Sequence, residues 1–263
     1  MSRWGLRIAT ALGFAFLYIP IGVIVLYAFN AQRVQAWPIQ SYSLEWFQAA
    51  LDNESVRGAL LLSLEVAVGA TVVALLLGSL AAFAVQRFRF FGRETVSFAL
   101  VLPIALPGIV TGMALNSSIN ATGIGFSTLT IVIGHATFCI VVVYNNVIAR
   151  LRRSSRTMEE ASMDLGADTF TTFRLVTLPL LRGALLAGAL LAFGLSFDEI
   201  VVTLFTAPPG VTTLPIWIFQ NLFRPRQGPV VNVVAAILVL ISVVPIYLSQ
   251  KLAGDAGHGG GRI

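Results

Sequence analysis

The chain has 263 residues, of which 57% are hydrophobic and only 11% charged. A soluble domain carries about a quarter charged residues, so this composition excludes a water-soluble enzyme or binding module and indicates an integral membrane protein. The net charge of +5 and the pI near 10.0 arise from basic residues that flank apolar stretches, so they read as membrane topology and not as a nucleic-acid footprint.

Six apolar stretches, 8–29, 59–85, 96–115, 127–149, 183–206 and 230–249, are long enough to cross a hydrocarbon core, which takes about 20 helical residues. Runs such as VVALLLGSLAAFAV do not alternate apolar with polar residues, so helices are expected and a barrel is not. The expected fold is all-α, with six transmembrane helices in one domain over residues 1–253 and a disordered cytoplasmic tail over 254–263.

The first stretch follows MSRWGLR and resembles a signal peptide. Its apolar core is too long for one and no small-residue cleavage site follows, so it is kept as span 1. The next segment contains Trp37, Tyr42, Trp46 and Phe47, the composition of a short amphipathic piece at the membrane interface. Span 2 carries Ala70, Ala74, Gly78 and Ala82 at four-residue spacing, and span 5 carries Ala184, Gly188 and Ala192. Such small faces are helix-packing seams, within the chain or between subunits. The loop QRFRFFGRE between spans 2 and 3 is a short basic turn, and Pro103 and Pro107 are expected to kink span 3. Asn116, Ser117, Ser118, Asn120 and Thr122 read as a polar turn before span 4. In span 4, His135 and Cys139 lie one turn apart, as a metal pair would. With no second pair in reach, packing and an interhelical hydrogen bond are expected and no metal site. Cys139 is the single cysteine, so no internal disulfide forms.

With both termini inside, thirteen basic residues fall on the cytoplasmic side and four, Arg33, Arg57, Arg224 and Arg226, on the outer side. The positive-inside rule therefore places the segment between spans 4 and 5 in the cytoplasm. That segment, EEASMDLGADTFTTFRLVTLPLL, opens as an amphipathic helix with Met158, Ala161 and Leu165 on one side and Glu159, Glu160 and Asp164 near its N-terminal half. Gly166 ends it, and Asp168 is placed to cap a second short helix that presents Phe170, Phe173 and Thr177 before Pro179 halts it. An apolar stripe too short to cross the bilayer needs a partner surface.

Glu160, Ala161 and Ser162, then Gly166, then Val176, Leu178 and Pro179 resemble the EAA loop of permease subunits of bacterial ABC importers: Glu-Ala-Ala, three residues, Gly, nine residues, Ile, one residue, Leu-Pro. Ser162 and Val176 are mild departures from that pattern. The resemblance extends nearly full length to the spermidine/putrescine branch, including GHATFCIVVVYNNVIARL and LSFDEIVVTLFTAPPGVTTLPIWIF. It implies that Met158, Glu159, Glu160, Ala161, Ser162, Leu165, Gly166, Asp168, Phe170, Leu178 and Pro179 contact or position a coupling helix against a cytoplasmic ATPase. The implied partners are a second permease, giving a heterodimer, two ATPase subunits, and a periplasmic or lipid-anchored substrate-binding protein, in the bacterial inner membrane. No G-x-x-x-x-G-K-[ST] loop is present, so ATP and Mg are expected on the partner and no cofactor on this chain.

Glu65, Asp198 and Glu199 are acids inside expected spans, where a charge costs about 2.5–3.5 kcal/mol on insertion scales unless it finds water or a partner. With no basic residue inside any span, they suit a cation such as a polyamine, with the rings of Phe197, Phe205 and Trp217 as cation-π faces. Adjacent residues on a helix point about 100° apart, so Asp198 is favoured over Glu199. Related cargoes (iron(III), a phosphonate, an opine, an amino-acid derivative) remain alternatives. So do an ion-coupled carrier using Glu65 and Asp198, and an intramembrane enzyme using His135 with Asp198.

Overall fold

The computed structural model describes residues 3–224 and 227–258. The expected Arg226 of the outer loop and the tail beyond 258 lie outside them. The helices in chain order are α1 (Arg3–Ala28), α2 (Glu45–Asp52), α3 (Glu54–Arg87), α4 (Arg93–Ala105), α5 (Gly108–Thr122), α6 (Thr128–Arg153), α7 (Thr157–Asp164), α8 (Thr169–Thr172), α9 (Leu178–Phe197), α10 (Val201–Thr206), α11 (Leu214–Asn221) and α12 (Gly228–His258), with a π turn over Phe173–Thr177. Among the described residues the one extended pairing is an isolated bridge between Asn30 and Tyr42. Five helical segments are long and apolar enough to cross a membrane, and α4 with α5 makes a sixth when that bent pair counts as one span. The all-α expectation of six spans holds.

Two units of chain divide the contacts: Met1–Leu62 with Thr212–Leu240, and Ser63–Val211 with Ile241–Ile263. In the first, the segment expected at the membrane interface folds as α2, but Trp46 is buried, with Arg33 over its ring at 5.7 Å, and only Trp37 and Tyr42 stay open. Asn53 accepts from the backbone of Ser55 and Val56 and so caps α3. The last helix continues to His258, into residues read from sequence as a disordered tail.

In the second unit α6 is the centre. Its buried face includes Gly134, His135, Ala136, Cys139, Val143 and Val147. Both small-residue seams close on it within the chain. A methyl at Gly78 would stand 2.8 Å from the Ile140 carbonyl, and one at Gly188 3.3 Å from the Val143 Cα, so the backbones of α3 and α9 lie directly on α6.

Three expectations along this unit change. Span 3 is broken, not merely kinked: α4 and α5 meet at 107°. Leu106, preceding Pro107, is extended (φ −84°, ψ 143°), the conformation that a following proline imposes, and the helix cannot continue through it. The polar stretch Asn116–Thr122 is the last part of α5 and not a turn, with Asn116 Nδ2 donating to the Phe205 carbonyl at 2.7 Å. Span 5 ends at Phe197, and α10 is a separate short helix, so the stretch 183–206 is not one helix.

Candidate functional site

The segment between α6 and α9 folds as helix, glycine pivot, helix. α7 carries Met158, Glu160, Ala161 and Leu165 outward, with Met158 54% and Leu165 90% exposed. Gly166 takes φ +91°, a region that side-chain-bearing residues rarely adopt, and turns the chain toward α8. Asp168 caps α8 by accepting from Thr171 N at 2.7 Å. The side-chain and then the backbone hydrogen bond of Thr171 hold its carboxyl below the ordinary carboxylate range. That contribution is present above the ordinary range and is lost as pH falls through the lowered value. Phe170, 68% exposed, is a third open apolar side chain in this segment after Met158 and Leu165. Phe170 stands at the start of the helical segment Thr169–Phe197, which is long and apolar enough to cross a membrane, and Met158 and Leu165 precede that segment.

Pro179 does not halt the second helix. The chain stays helical from Thr169 to Phe197. A proline has no N–H and its ring presses on the carbonyl four residues back, here Leu175. The turn before it widens to π geometry, with Leu178 N bonded to the Phe173 carbonyl five residues back, and this accommodates the ring. Leu178 and Pro179 both stay exposed at the start of α9.

Glu159 is also placed otherwise than expected. It turns inward, where Oε1 meets Arg87 Nη2 at 2.7 Å and accepts from Thr177 Oγ1 at 3.2 Å. Ser162 likewise faces the chain, with its hydroxyl 3.1 Å from that of Thr172. The outward set is therefore Met158, Glu160, Ala161, Leu165 and Phe170.

Among the acids, Asp198 is exposed and sits in the break between α9 and α10. Glu199 is half-buried and its Oε1 accepts from Val202 N at 2.8 Å, capping α10. The 100° divergence of adjacent helical residues does not apply here, because α9 has already ended at Phe197; Asp198 is nevertheless the one left open. Glu65 is exposed on α3. Phe197 is buried and stacked on Phe193 at 5.8 Å, so it offers no face to a solute. Phe205 packs over Gly112. Trp217 is buried in α11 and lines a cavity of about 250 Å³ together with Arg224, a poor setting for a cation. His135 is an interhelical tie: Nδ1 lies 2.7 Å from Ser196 Oγ and Nε2 2.8 Å from Thr203 Oγ1. Both ring nitrogens are taken by hydroxyls. Cys139 Sγ donates to the Ala192 carbonyl. Among the described residues no cluster of three metal-ligating side chains exists.

Residues 74–252 match the family described as the binding-protein-dependent transport system inner membrane component. The chain is 36% identical over 262 residues to the putrescine transport system permease protein PotI of Escherichia coli K12, covering 95% of this chain and 92% of the relative. This chain belongs to that inner membrane component family. It is also 36% identical over 247 residues to the spermidine/putrescine transport system permease protein PotC of E. coli K12, covering 94% and 92%. The bacterial alginate ABC transporter, solved with a periplasmic protein carrying an alginate pentasaccharide, superposes with a TM-score of 0.69 at 13% identity, over 96% of this chain and 93% of that one. That likeness is one of fold. As an inner membrane component, the chain is a transport subunit and not an enzyme.

Sequence reasoning on this inner membrane component missed Arg87, Arg156 and Phe83. Arg156 Nη2 donates to the Arg87 carbonyl at 2.6 Å, and the Phe83 ring meets that of Phe173 edge-on at 5.4 Å. With the Glu159–Arg87 pair, these contacts join the segment between α6 and α9 to the end of α3. The only sequence signal was an acid, Glu159, set among arginines that the positive-inside rule had already explained.

Proposed function

We propose that this chain is a permease subunit of an ATP-driven importer that moves a polyamine, putrescine or spermidine, inward by alternating access. The observation that carries the reading is the helix–Gly166–helix turn with its exposed Met158, Leu165 and Phe170, in a chain 36% identical to a putrescine permease over nearly its whole length. Both termini and this turn lie in the cytoplasm, where thirteen of the seventeen basic residues also fall. The turn seats on an ATPase subunit, which binds ATP and Mg. A second permease, a second ATPase and a substrate-binding protein complete the transporter. Asp198 and Glu65 are the pathway acids: both are exposed, Glu65 on α3 and Asp198 in the break just past α9, and each would meet an ammonium group of the passing cation.

Purification from the native membrane tests the assembly and the cargo together. The expected result is recovery of the two ATPases and of a binding protein that prefers putrescine or spermidine over iron(III), phosphonates and opines. A binding protein that preferred an anion would overturn the polyamine assignment, and recovery without any ATPase would overturn the importer reading.

A further inference from the structure

We infer that Glu159 is an internal clasp that joins the coupling helix to α3, so that a movement received by α7 is delivered to two spans, α3 and α9, at once. This rests on the reading of α7 as the seat of an ATPase. Glu159 lies in α7, beside the exposed Glu160, yet its side chain is only 15% exposed and that of Arg87 only 10%. Its Oε1 is shared by two partners from different elements, Arg87 at the last residue of α3 and Thr177 at the end of the π turn that leads into α9. Two further contacts join these pieces in pairs: Arg156, just before α7, donates to the Arg87 carbonyl of α3, and Phe83 of α3 meets Phe173 of the π turn.

Glu159 lines a cavity of about 590 Å³ with Arg87, Thr177, Phe83 and Phe173 and with the exposed Glu160 and Phe170; what sets it apart from Glu160 is its two bonds within the chain. Its acid is therefore spent inside the chain. Along the backbone alone, α7 connects to α9 through Gly166 and the widened turn, both compliant links. A short charge-assisted bond is directional and resists displacement. With it, α3 follows α7 closely; without it, the link is left to the Arg156 bond and α7 can tilt further on Gly166 before α3 follows. Glu159 is thus a positioning residue that sets coupling and not affinity for the ATPase.

The test uses the complete transporter in proteoliposomes, reading ATPase recovery, ATP hydrolysis and polyamine transported per ATP. Glu159→Gln should recover the ATPase as the unmodified chain does and keep ATP hydrolysis, while transport per ATP falls at least five-fold. Thr177→Val, which removes the weaker bond, should lower it about two-fold. The exchange Arg87→Glu with Glu159→Arg should restore at least half of the ratio, which a residue needed only for folding would not do. An unchanged ratio in Glu159→Gln overturns the clasp, as does loss of the ATPase, which would make Glu159 a docking residue. If the single variants fail to insert, the exchange variant decides: inserted and coupled supports the clasp, inserted and uncoupled overturns it. Absence of ATPase from the unmodified complex is a separate result that sinks the importer reading and not the contact.

Discussion

Gly166 sits at φ +91° with nothing within 4 Å of where a Cβ would stand, so the position is limited by backbone conformation and not by space. An L-residue there costs about 1–2 kcal/mol, and proline, fixed near φ −65°, cannot adopt it. Gly166→Ala should therefore reduce transport several-fold, and Gly166→Pro should abolish it, with both proteins still inserted; labelled-putrescine uptake set against membrane-protein level reads this. His135 is the opposite kind of residue. Its two ring nitrogens are held by Ser196 and Thr203, and it ties α6 to both sides of the break at Asp198. The sequence supplied the right reason for it, since a lone histidine on an apolar helix with no second ligand pair is a hydrogen-bonding residue. It could not supply the same for Phe197 and Trp217, because an aromatic side chain near an acid reads alike whether it faces a pathway or a core.

The coupling segment depends on the register of the π turn. In regular α geometry each residue advances about 100°, so one residue more or fewer rotates everything before it. Deleting Leu175 from the turn Phe173–Thr177 should leave insertion intact while swinging α7 about α9, breaking the Glu159–Arg87 pair and abolishing transport; retained uptake would mean that the turn is passive. The elements themselves were legible from hydropathy, because a span needs only length and apolar content. Their breaks were less so. Pro179 looked like a stop because a proline is tolerated poorly in an α-helix, and the widened turn that accommodates it leaves no mark in composition. The end of α9 at Phe197 was hidden because Val201–Thr206 remains as apolar as the helix before it. The pairing of Glu159 with Arg87 joins residues 72 apart, a separation at which no helical spacing links them.

At the scale of the whole chain, six spans, a small-residue core around α6 and the open turn Met158–Gly166 make a transport subunit with much exposed apolar surface. The proposed function has transport driven through the turn Met158–Gly166 by a partner ATPase, since the sequence carries no G-x-x-x-x-G-K-[ST] loop. Uptake of labelled putrescine into proteoliposomes, with the binding protein outside for inward transport and ATP on the ATPase side, tests that claim most directly. Uptake should require ATP, persist without an ion gradient, and fall to background in Glu160→Lys, which reverses an exposed charge on α7. Uptake driven by an ion gradient with no ATPase present, or full ATP-driven uptake in Glu160→Lys, would contradict that claim.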